Sequence, residues 1–105
     1  MVIPRAVAQQ NQFASAVADV EPQLVPEVVR IRYTLGNDWS GEPAVFFRVV
    51  LTNDASKRDR LFEVTSRVSS LVERQIEPLE QWGVLPYFTF RSQLEQDQLR
   101  EPAWA

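Results

Sequence analysis

Between Glu27 and Thr52 the chain alternates in hydrophobicity, breaks at a polar loop, and alternates again. In the first arm Val29, Ile31, Tyr33 and Leu35 share one parity, and Arg30, Arg32 and Thr34 share the other. In the second arm Val45, Phe47, Val49 and Leu51 alternate with Ala44, Phe46, Arg48, Val50 and Thr52. A period of two marks a strand with two distinct faces, so each arm has an apolar side and a second side to account for. The intervening Gly36-Asn37-Asp38-Trp39-Ser40-Gly41-Glu42-Pro43 is rich in turn formers, and the pair reads as an antiparallel hairpin. An isolated hairpin is marginal in water, so its apolar side needs cover.

The cover comes next in the chain. Leu61, Val64, Val68, Leu71, Val72 and Ile76 recur at helical spacing, with Arg60, Glu63, Arg67, Ser70, Arg74 and Glu77 opposite. Ser56 with Asp59 approximates a capping box at the start, Glu63 and Arg67 stand at a favourable i,i+4 spacing, and Pro78 stops the helix near Ile76. About 20 residues make a helix of roughly 30 Å, long enough to cover the apolar face of the hairpin. Trp82-Gly83 turns the chain into a third strand over residues 84–91, with Phe88 and Phe90 facing one way and Tyr87, Thr89 and Arg91 the other. Ser92 with Glu95 opens a short helix to about Leu99, and Glu101-Pro102-Ala103-Trp104-Ala105 follows. Upstream, residues 5–19 carry Val7, Phe13, Ala14, Val17 and Val20 on a thin helical stripe. Residues 21–26, with Pro22 and Pro26, read as an extended connector.

This order predicts one α+β domain over residues 1–105: an N-terminal helix and connector (1–26), a core (27–91), and a C-terminal helix and tail (92–105). The expected sheet is three-stranded and mostly antiparallel in the order 2-1-3, with the long helix on one face. The alternative places the third strand beside the second, in parallel, with a right-handed crossover.

Composition removes most chemistries. The 105 residues contain no cysteine and no histidine, which excludes disulfides, thiolate catalysis, the usual zinc sites and histidine-based triads. The three glycines match no phosphate-loop spacing. No cofactor is implied. No apolar run is long enough for a membrane span, and the polar residues Gln9, Gln10, Asn11 and Gln12 interrupt any signal-peptide core, so a cytoplasmic location is expected. Net charge is −3, with the acidic excess at the ends in Asp19, Glu21, Glu95, Asp97 and Glu101. All of the 11 basic residues but Lys57 are arginine, a bias toward planar, stacking contacts that a biased genome composition would also produce.

Two stretches hold candidate functional residues. The sheet face away from the long helix would present Arg30, Arg32, Phe46, Arg48, Tyr87 and Arg91. Such a face reads first as a solvated or covered surface with its arginines paired to carboxylates. It would also suit an interface between proteins, or single-stranded RNA, although the acidic balance and the lack of any RNA-binding motif oppose RNA. The hairpin loop gathers Asn37, Asp38, Ser40 and Glu42, for which turn chemistry is a better explanation than a divalent metal, since calcium-loop spacing is missing. Asp38 with Glu42 is the best acid–base pair an enzyme could draw on, and no catalytic residue is assigned. Trp39 at the loop tip either folds back onto the core or anchors a partner. Arg60, Arg67 and Arg74 repeat every seven residues on the long helix beside Asp59, Glu63, Glu73 and Glu77, as on an ordinary charged outer face. Trp104 is too apolar to leave in water and should dock, on its own core beside Trp82 or the third strand, or else on a neighbouring subunit.

The segments Asp38-Trp39-Ser40-Gly41-Glu42-Pro43, Phe46-Phe47-Arg48-Val49-Val50-Leu51, Leu85-Pro86-Tyr87-Phe88-Thr89-Phe90-Arg91-Ser92 and Glu101-Pro102-Ala103-Trp104-Ala105 resemble short uncharacterised prokaryotic proteins associated with a neighbouring gene for a small helical protein of the HEPN class. The resemblance covers residues 27–105 and rests on no motif of known mechanism. It implies a two-component arrangement and transfers no functional residue. Scarce catalytic side chains together with 3 tryptophans and 6 phenylalanines lead to the expectation of a non-catalytic interaction protein, self-associating or bound to another protein, with single-stranded RNA binding as the alternative.

Overall fold

The computed structural model describes residues 3–105. In chain order the elements are α1 (Arg5–Ala8), α2 (Gln10–Val20), a 3-10 turn (Glu21–Leu24), β1 (Val28–Asn37), β2 (Pro43–Leu51), α3 (Arg58–Ile76), α4 (Pro78–Trp82), β3 (Leu85–Ser92), α5 (Gln93–Leu99) and a final 3-10 turn (Pro102–Trp104). The α+β class and the hairpin are as expected. The hairpin pairs Ile31 with Val49, Tyr33 with Phe47 and Leu35 with Val45.

The sheet order differs from expectation. It is β1-β2-β3 rather than 2-1-3, and β3 runs parallel to β2, so the sheet is mixed. The reason lies in β2, whose two parities are both apolar enough to be buried: Ala44, Val45, Phe47, Val49, Val50 and Leu51 are all shielded from solvent. A strand buried on both faces belongs in the middle of a sheet. β1 carries Arg30, Arg32 and a register shift between Val28 and Arg30, features that suit an edge. The same shift turns Val28, not Val29, into the core, where Val28 is 2% exposed.

One connected apolar cluster joins Ala6, Phe13, Val17, Val20, Leu24, Val28, Ile31, Phe47, Val64, Val68, Val72, Ile76 and Trp82. The long helix therefore does not cover the sheet alone; α2 lies beside it and contributes Phe13, whose ring meets Tyr33 and Trp82 edge-on at 5.1 and 5.2 Å. The N-terminal helix is broken at Gln9 (φ −124°), which lets Ala6 reach the core while Val7 and Ala14 face out. Residues Glu21–Leu24 form a helical turn and not an extended connector, because the fixed φ of Pro22 fits the first turn of a helix.

α3 begins at Arg58, one residue later than a Ser56 cap would give, and has no side-chain cap. Ser56 Oγ donates instead to the Thr52 carbonyl at 2.9 Å. Arg67 pairs with Glu27 at 2.6 Å rather than with Glu63, and Arg60 reaches both Glu27 and Asp54. Two arginines of the outer helix face thus fasten α3 to the residue that leads into β1. Helix α5 has the full Ser92/Glu95 capping box.

Candidate interaction face

The register places the second parity of the three strands in rows: Arg30-Val50-Arg91, then Arg32-Arg48-Thr89, then Thr34-Phe46-Tyr87. All the sheet residues singled out above therefore share one face, ordered from arginine at one end to aromatic at the other. The two ends have different fates.

At the arginine end the chain's own C-terminal segment lies on the sheet. Trp104 is 5% exposed, with the Arg91 guanidinium 4.2 Å from its ring centroid. Arg30 Nε donates to the Trp104 carbonyl at 2.8 Å, and Arg48 Nε donates to the Ala103 carbonyl at 2.8 Å. Arg91 also pairs with Glu101 at 2.7 Å and donates to Gln96 Oε1 at 3.1 Å, while Gln96 Nε2 donates to the Glu101 carbonyl at 2.8 Å. Val50 lies buried between Arg30 and Arg91 in the same row. Charge-assisted bonds to carbonyls and a cation over an indole are the strong forms of these contacts. Trp104 is thus docked on its own chain beside β3, on the opposite face from Trp82. Of the four arginines on this face, Arg32 alone is exposed, bonding only the Ile31 carbonyl, at 3.0 Å.

At the aromatic end Phe46 and Tyr87 are only half-buried, and among the described residues the C-terminal segment does not reach them. Phe46 and Tyr87 stack at 5.5 Å, and Trp39 meets Tyr87 edge-on at 5.8 Å. Trp39 is 87% exposed. It is held up by the loop beneath it: Asp38 Oδ1 accepts from the Ser40 hydroxyl (2.7 Å), the Ser40 N–H (2.9 Å) and the Glu42 N–H (3.0 Å), and Asp38 Oδ2 accepts from the Tyr87 hydroxyl (2.8 Å). Gly41 closes the turn at φ +86°, a region open to glycine at no steric cost. Four donors on one carboxylate favour its charged form. Led by the Ser40 hydroxyl, they hold the Asp38 pKa down at about 2, and the Tyr87 hydroxyl, by donating to Asp38, has its own pKa raised above the ordinary 10.0. A carboxylate so satisfied is a poor base at neutral pH. Asp38 acts as the fastener of a loop that presents a tryptophan.

Among the described residues there is no cluster of metal-ligating side chains, and no helix is long and apolar enough to cross a membrane. Sequence reasoning missed Val50 as a buried member of this face; an apolar residue on the arginine parity was the available sign that something would cover it. No family model, curated protein or solved structure matches the chain.

Proposed function

We propose that this chain is a non-catalytic protein-interaction module of the cytoplasm that engages another protein through the platform of Trp39, Tyr87 and Phe46. The observation that carries the reading is Trp39, 87% exposed and yet fixed by Tyr87 and the Asp38 turn. Leaving a large ring in water forgoes about 2 kcal/mol of burial, and a rigid exposed aromatic is the kind of anchor that interfaces use most. A second component encoded beside this chain, as in a toxin–antitoxin-like pair, is the partner this reading favours. Single-stranded RNA fits less well: phosphate recognition needs free cations, and Arg30, Arg48 and Arg91 are engaged with the C-terminal segment.

The test is affinity capture from nuclease-treated host extract with the wild-type chain, Trp39→Ala and Arg32→Ala. The reading expects one protein retained by wild type and Arg32→Ala, with a loss of roughly tenfold or more for Trp39→Ala, in keeping with the ~2 kcal/mol or more of a hot spot. Capture that Trp39→Ala does not reduce, or binding to mixed-sequence RNA that Arg32→Ala abolishes, contradicts it.

A further inference from the structure

The sheet has a second unsatisfied feature, at its edge. β3 pairs with β2 alone, so its outward-turned backbone N–H and C=O groups form an open row, and among the described residues no backbone group outside the sheet bonds to it. Pro86 is the only edge-blunting residue in the strand, and Arg91, its one charge, is turned to Glu101 and Trp104. On the core side Phe88 and Phe90 touch the core but stay half-buried. Between them and α3 runs an open groove of about 1110 Å³, walled by Leu61, Phe62, Thr65 and Ser66, with Phe62 83% exposed at its rim.

We propose that this edge and groove are filled by a second copy of the chain, with β3 pairing antiparallel to β3 of that copy across a two-fold axis at Thr89. Side-chain complementarity selects this occupant and register. Antiparallel pairing about Thr89 sets Phe88 opposite Phe90 of the second copy, extending the stacked Phe47-Phe88-Phe90 series, and sets Tyr87 opposite Arg91, so no like charges meet. The axis stands perpendicular to the sheet, so both α3 helices stay on one side and each Phe62 faces the groove of the other copy. One contact satisfies both open edges, as an isologous interface requires. The joined edge is ~26 Å long and one strand-plus-helix layer, ~20 Å, deep, which gives on the order of 500 Å² per copy and about 1000 Å² in all, the lower bound for a specific dimer. This surface meets the Trp39 platform only at Tyr87, and Trp39→Ala and Phe62→Glu, which lie outside the shared residue, let the two proposals fail separately.

The absence of cysteine supplies a direct test. Directly opposed residues on antiparallel strands have Cα atoms about 4.5–5.5 Å apart, within disulfide range, so Thr89→Cys should cross-link the chain into a covalent dimer under mild oxidation while Trp39→Cys should not. Light scattering at about 100 µM should give a dimer for the wild type and for Trp39→Ala, and a monomer for Phe62→Glu, whose exposed position leaves the fold intact by circular dichroism. A wild-type chain that stays monomeric, a dimer indifferent to Phe62→Glu, or failure of Thr89→Cys to cross-link would overturn the proposal. So would a monomer that takes up an extended apolar peptide at β3, since the edge would then serve a foreign strand.

Discussion

Asp38 and Trp104 show how single side chains divide the work of this molecule. Both were legible in the sequence as to kind: an aspartate between asparagine and glycines belongs in a turn, and a tryptophan beside a proline in a short tail needs a surface. What the sequence could not supply was the partner of each, because Tyr87 and Arg91 lie 49 and 13 positions away and only the hairpin loop over β3 and the return of the tail after α5 bring them near. The Asp38–Tyr87 bond makes a prediction for pH. Asp38, lowered from 3.8 to about 2, contributes stability that is present above pH 3.8 and lost as pH falls through about 2; Tyr87, raised above 10.0, contributes stability present below pH 10.0 and lost as pH rises through its folded value. The near-ultraviolet circular dichroism of the Trp39–Tyr87 pair should therefore be flat between about pH 4 and pH 10 and change on both sides. Asp38→Asn should remove the acid step; an acid step that persists in that variant would mean another carboxylate holds the platform.

At the scale of elements, periodicity located the two arms of the hairpin, α3 and β3, and α5 was readable from its capping box because Ser92 and Glu95 lie close in sequence. The breaks were less legible. α3 ends at Glu77 and α5 at Arg100, both in the left-handed region at φ 51° and 52°, where glycine is the usual occupant. Nothing in a glutamate or an arginine announces such a conformation; the turn into α4 imposes it at Glu77. Since a side chain there costs ~1–2 kcal/mol and glycine returns part of that as unfolded-state entropy, Glu77→Gly should stabilise the chain by roughly 0.5–1 kcal/mol and raise Tm by a few degrees in a thermal melt. A fall in Tm would show that the Glu77 side chain does more than occupy the turn. Leu61, expected on the buried stripe of α3, is 40% exposed and lies outside the core, and with its neighbour Phe62 it walls the groove beside β3.

The whole molecule turns on β2. Read two residues at a time it looks like the second arm of a half-exposed hairpin, but Ala44, Val50 and the partly covered Phe46 make its second parity apolar too, which demands neighbours on both edges and cover on both faces. β1 and β3 supply the edges, α2 and α3 one face, and the C-terminal segment half of the other. The arginine and aromatic residues that first suggested one functional surface are thereby split, with Arg30, Arg48 and Arg91 holding the chain's own tail while Arg32 and the aromatics are left open. Indole nitrogen NMR with a soluble paramagnetic broadening agent tests that division most directly, because the three tryptophans report the three regions. The account predicts that one resonance, assigned to Trp39 by its loss in Trp39→Phe, broadens at low agent concentration while those of Trp82 and Trp104 stay sharp. Broadening of Trp104 alongside Trp39 would mean that the tail does not occupy the sheet and that the arginine face is free.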